Sequence, residues 1–254
     1  MILLYRITPF FVGLVSLLGF LGLMHAWTYP LIVIVISLIL FMALFARLLK
    51  WQFNTFSFWF FLGTPSLFFA ASFSVFLLAE DSLSRALIAL LSVSLLVLFT
   101  EYVFQYIHLP SKYQPFSLEY LTLILNVLSV FFFSSLGFAA RILLQSPLAL
   151  LAVCVFALMY FLVYGTLWVS KAETFRSHYY SVFGSILLTE FFIVLTFLPP
   201  GFYTNAAFLT VFAYLFLGLT RAHAIHKLSK EMMIRYTVTS VILLVFIGLS
   251  SQWL

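Results

Sequence analysis

The sequence predicts an all-α integral membrane protein, a bundle of about nine transmembrane helices, and three observations carry that prediction. Charged residues make up only 7% of the 254 positions and hydrophobic ones 65%, whereas soluble chains run at about 25% charged because their surface faces water. Mean hydropathy is +1.21. Nine apolar stretches alternate with short polar joints, and ten of the twelve Lys and Arg fall on alternate joints. Crossing about 30 Å of hydrocarbon takes about 20 residues of helix, so nine crossings consume most of the chain. One membrane domain, 1–254, is expected. Barrel strands are about ten residues long and alternate apolar with polar, a pattern absent here.

Taken in order, the first stretch, 8–24, follows Arg6 and carries no charge. It has the look of a secretory leader, but Met24-His25-Ala26 lacks a small residue at the first position of a cleavage site, so it is read as a retained span. The second, 29–46, opens on Pro30, whose missing N–H costs nothing in a first turn. Trp27 and Tyr29 suit the headgroup level, as do Trp51 and Trp168 at the opposite ends of their spans. The third, 56–79, contains Gly63-Thr64-Pro65, and a proline there removes a backbone hydrogen bond and should bend the helix. The fourth and fifth, 84–107 and 117–142, are separated by Pro110 and Pro115. The sixth, 147–169, begins at Pro147 and holds Cys154, read as a packing residue, and a ladder of Tyr160, Tyr164 and Trp168. The seventh, 179–198, stops at Pro199-Pro200. The eighth and ninth, 203–220 and 236–251, flank the longest polar joint, Arg221 to Arg235.

Charge sorts the joints. One side receives Arg6, Arg47, Lys50, Lys112, Lys171, Arg176, Arg221, Lys227, Lys230 and Arg235; the other receives Arg85 and Arg141, beside Glu80 and Asp81. Under the positive-inside rule the basic side is cytoplasmic. The N-terminus is then cytoplasmic and the C-terminus outside, and the expected location is the plasma membrane of a prokaryote. Net charge of +5, spread over joints on one side, points to anionic lipid rather than nucleic acid.

Three groups of residues could carry chemistry. Glu190 lies about eleven residues into its predicted span, near the midplane at about 1.5 Å per residue, where a carboxylate must be protonated, paired or wetted. With Thr189 and Ser185 alongside and Asn126 on the fifth span, it is the candidate substrate or proton site. Glu101 and Gln105, one turn apart, form a candidate cytoplasmic polar cluster with His108 and Glu119. Arg221, His223, His226, Lys227 and Lys230 are candidate lipid headgroup contacts. His223 and His226 would share one helix face, but zinc needs three or four ligands, so no metal is expected, and no cofactor. No lysine lies inside a span to form a Schiff base, and no phosphate loop or His-Glu-x-x-His occurs.

The leading functional expectation is a non-catalytic membrane component, an assembly or anchoring subunit, with membrane lipids and another membrane protein as partners. The alternatives are a proton- or ion-coupled transporter using Glu190 and a lipid-handling enzyme with a cytoplasmic-side site. The enzyme reading requires Glu101, Glu119, His178 and His223 to converge.

Overall fold

Deep in hydrocarbon no water can satisfy a backbone N–H or C=O, so an apolar stretch of spanning length closes its hydrogen bonds internally as a helix. The computed structural model describes residues 5–25, 29–114, 116–171, 174–226 and 228–251. Among these residues the helices are α1 (Thr8–His25), α2 (Pro30–Leu48), α3 (Phe56–Leu78), α4 (Ser82–His108), α5 (Ser117–Leu143), α6 (Leu148–Val169), α7 (Thr174–Leu195), α8 (Phe202–Ala224) and α9 (Lys230–Ser250). All nine are long and apolar enough to cross a membrane, compatible with a multi-pass membrane protein, and the described residues include no strand. Trp27, Glu173 and Lys227 lie outside the described residues.

Where the helices exceed the predicted spans, local chemistry explains it. The ninth begins at Lys230 rather than 236, because Ser229 caps it by accepting the Met232 N–H at 3.2 Å. Its first turns carry Lys230, Glu231 and Arg235 and are helical all the same. α7 likewise begins at Thr174 rather than 179, and α8 runs on to Ala224. α3 passes through Pro65 as one helix, although that ring has no N–H to offer Phe61 O.

Asp81 caps α4, its Oδ2 accepting the Ser84 N–H at 2.8 Å. That N–H, chiefly, holds the carboxyl below its usual range. A depressed folded-state value means stability present above the unfolded value and lost as pH falls through the folded one. Asp81→Ala should therefore lower the melting temperature at about pH 7, and the difference from wild type should shrink toward about pH 3. An unchanged difference at both pH values would remove the charged cap from the account.

The chain divides into two compact units, Met1–Leu125 and Asn126–Leu254. In the first, α1 packs on α2 and α4, and α3 packs on α2 and α4. Its core is a chain of rings: Phe20 lies 4.8 Å from Phe73 and 5.1 Å from Phe76, Phe41 5.3 Å from Phe69, and Phe45 6.1 Å from Phe99. Gly19 permits close approach of α1 to α2, since a Cβ there would stand 2.8 Å from Ser37 Oγ.

In the second unit α7 packs on α6 and α8, and α9 packs on α8. Phe138 and Phe192 stack at 4.5 Å within a core that includes Leu162, Leu188, Leu209 and Ala213. α9 is barely embedded, Ser240 alone of its described residues being buried. Its anchor is Tyr236, which lies against Gly218 and 5.3 Å from the Tyr214 ring.

Three helices ending on the basic side close the same way. After α2, α6 and α8, the residue following the C-cap takes a left-handed conformation: Lys50 at φ 55°, Lys171 at 57° and His226 at 55°. Their N–H groups return to Arg47 O, Trp168 O and His223 O at 3.0–3.1 Å. After α2 the motif is complete, Trp51 N–H reaching Ala46 O at 3.1 Å. Glycine is the usual occupant of that position; here it is cationic or titratable.

Candidate functional site

Adjacent residues on a helix point about 100° apart, and on α7 that rotation separates the predicted site. Ser181, Ser185 and Thr189 are buried. Their hydroxyls donate to their own helix, to Ser177 O at 2.6 Å, Val182 O at 2.9 Å and Ser185 O at 2.6 Å. Glu190 is exposed and makes no hydrogen bond or ion pair with the described residues. It stands in line with Phe183, Ile186 and Val194, exposed by 61%, 45% and 60%. A carboxyl thus sits in the middle of an apolar outer face.

Its depth also differs from expectation. α7 ends at Leu195, ahead of Pro199-Pro200, because a residue before proline is driven out of the helical region, and the chain turns at Thr196–Leu198. Glu190 therefore lies about 7–8 Å from the helix's last residue at about 1.5 Å per residue, nearer the C-terminal end of α7 than its middle. Helix side chains lean toward the N-terminus, so the Glu190 side chain starts out directed away from the nearer end.

Asn126 is wholly buried and serves a different contact. Its Nδ2 donates to Thr166 Oγ1 at 2.8 Å, and that hydroxyl donates to Leu162 O at 2.8 Å, pinning α5 to α6. Asn126 Oδ1 is buried without a partner among the described residues. No hydrogen bond joins Glu190, Thr189, Ser185 and Asn126 into one polar cluster; Thr189 and Ser185 meet through a backbone oxygen alone.

The cytoplasmic cluster resolves into smaller contacts. Gln105 Nε2 donates to Glu101 Oε1 at 3.0 Å. His108 turns to α2, its Nε2 lying 3.2 Å from Leu48 O, and stacks between Tyr5 at 4.5 Å and Phe104 at 5.4 Å. Glu119 is half-buried near Tyr113. Burial pushes the Tyr113 phenol up, the Leu118 N–H it accepts pulls it back, and the Glu119 charge raises it further.

Where α7 begins and α8 ends, Arg221 is buried, 8% exposed, while His223 is exposed and meets the Tyr180 ring edge-on at 6.0 Å. The helix stops at Ala224, so His226 leaves the face it was expected to share with His223. Instead its Nε2 lies 3.0 Å from Arg176 Nη1, the arginine donating. Lys230 is exposed at the start of α9. Among the described residues no three His, Cys, Asp or Glu are placed to hold a metal.

One contact was not read from the sequence. His178 Nδ1 lies 3.0 Å from Tyr160 Oη, and its ring stacks on Tyr164 at 4.6 Å. The tyrosine ladder was visible; its imidazole partner was not, because seeing it required α7 to begin five residues earlier. Cys154, expected in packing, is exposed on α6.

No curated protein and no solved structure matches the chain. A family described as a protein of unknown function (DUF5656) has a sequence model that matches residues 47–250, and the chain belongs to that family.

Proposed function

We propose that the protein is a non-catalytic membrane component, an assembly or anchoring subunit that works through its outer faces. The observation that carries this reading is Glu190, a carboxyl exposed on an otherwise apolar face of α7. Left against lipid, an ionised carboxylate costs several kcal/mol on most scales, and another membrane protein covering that face would relieve the cost. The buried hydroxyls of α7 are turned to their own backbone, so they serve packing rather than a solute.

The charge asymmetry supports an N-terminus in the cytoplasm, a C-terminus outside and residence in a prokaryotic plasma membrane. On the cytoplasmic side the exposed His223, His226 and Lys230 contact anionic headgroups in this reading, each exposed cation adding about 1 kcal/mol near such a surface, whereas Arg221 is too buried to join them.

Gentle extraction of the full chain in native lipid, followed by native mass spectrometry, tests the proposal. Wild type should carry a second membrane protein in fixed ratio, and Glu190→Leu should run without it at unchanged helix content. A small solute that co-purifies and is lost with Glu190→Gln would select the proton- or ion-coupled transporter instead.

A further inference from the structure

The chemistry of the missing neighbour can be taken further, on the reading that the Glu190 face is a docking face. Phe183, Ile186, Glu190 and Val194 lie at i, i+3, i+7 and i+11, one stripe of α7, all exposed. Such a stripe runs about 16 Å along the helix at about 1.5 Å per residue, long enough to seat about half of a membrane-spanning helix laid alongside. The apolar positions do not choose a partner in lipid, where hydrocarbon tails are as good a neighbour as leucine. The carboxyl does choose.

Its position makes it demanding. Side-chain lean directs it toward the helix N-terminus, away from the nearer end about 7–8 Å off. Its own helix offers no donor, since side chains at 183, 186, 187, 193 and 194 are Phe, Ile, Leu, Ile and Val. A second copy of the chain is a poor source of the missing charge. Its lysines all lie on the basic side, between apolar stretches or, for Lys230, at the first residue of α9. Of the two outer arginines, Arg85 Nε already donates to Ala79 O at 2.9 Å and Arg141 Nη1 to Ser146 O at 3.0 Å. A copy docked symmetrically on this stripe would bring a second acid to the first.

We infer that the α7 face receives a membrane-spanning helix of another protein that carries a lysine or arginine within the outer third of its span, paired with Glu190. The cation and the carboxylate each make the other tolerable in hydrocarbon, so the pair specifies partner and register together.

The exposed Cys154, the chain's one cysteine, gives a labelling site on α6, which packs against α7. Full-length protein labelled there and reconstituted in vesicles of neutral and anionic phospholipid would be titrated with synthetic leucine-rich transmembrane helices. These carry lysine, glutamate or leucine at one outer-third position, and energy transfer reports association. The lysine helix should bind about tenfold tighter than the leucine helix, and Glu190→Leu should abolish that preference. Equal binding of the two helices, or a preference that survives Glu190→Leu, overturns the inference. So does tighter binding of the glutamate helix, or energy transfer between labelled copies that vanishes with Glu190→Leu, either of which assigns the face to a second copy. A partner complex retained in native lipid alongside peptides that bind equally refutes the basic helix and leaves the assembly reading standing. The reverse result, a lysine preference with no complex in native lipid, refutes the assembly reading alone.

Discussion

Gly218→Leu is expected to unseat α9. A Cβ at that position would overlap the Tyr236 ring, and forcing bulk into a packed contact costs about 1–3 kcal/mol. Elsewhere in the second unit such a cost is shared by many contacts. α9 has less to share it with, since among its described residues Ser240 alone is buried, and the Tyr236 ring is one of its contacts on α8. Limited proteolysis at the 225–229 joint should rise about tenfold over wild type if the contact contributes about 1.4 kcal/mol. Gly248→Leu is the control, because a Cβ there meets nothing within 4 Å. Equal cleavage in the two variants would show that α9 is held by something other than its glycine contact.

The second large effect is expected at Phe192. This ring is fully buried against Phe138 at 4.5 Å, and Gly137 leaves room for it, a Cβ there lying 3.2 Å from its edge. In lipid, burial from water is no longer the driving term, so what Phe192→Ala removes is dispersion contact and filled volume. The cavity term alone places the loss at about 2–3 kcal/mol. Thermal unfolding in a fixed detergent should fall by several degrees for Phe192→Ala, while Phe183→Ala, at a position 61% exposed, should stay within about 0.5 kcal/mol of wild type. Matching shifts would mean that helix packing is not what holds this unit.

Helix number and order were legible because each joint is marked by proline, charge or both. Boundaries were less so, since a helix outlasts its apolar stretch: the charge-bearing turns from Lys230 to Arg235 are wound, capped by Ser229. Facing was the least legible property. When nearly every position is apolar, no stripe of polarity reports which side is buried, so Glu190 and Thr189 read as neighbours although one is exposed and the other buried. The pairing of His223 with His226 failed for a related reason. Spacing of three implies a shared face only while the helix continues, and the left-handed backbone at His226 ends it. Asn126 shows the converse limit: its depth could be read, but its partner Thr166, forty positions away, could not.

The left-handed residues that close α2 and α6 have a consequence for how charge and fold can be varied independently. Holding lysine in that conformation costs about 1–2 kcal/mol, and glycine would relieve it, yet glycine also loosens the unfolded chain by about 0.4–1 kcal/mol. The second offsets about half of the first, so Lys50→Gly and Lys171→Gly should fold at least as well as wild type while shedding positive charge. The backbone therefore does not call for lysine at these two stops, and the lysines there are set by the surface they face. Anionic lipid retained more weakly by the variants than by wild type, at a melting temperature no lower than wild type's, would separate the part of the sequence that builds the helices from the part that addresses the membrane surface.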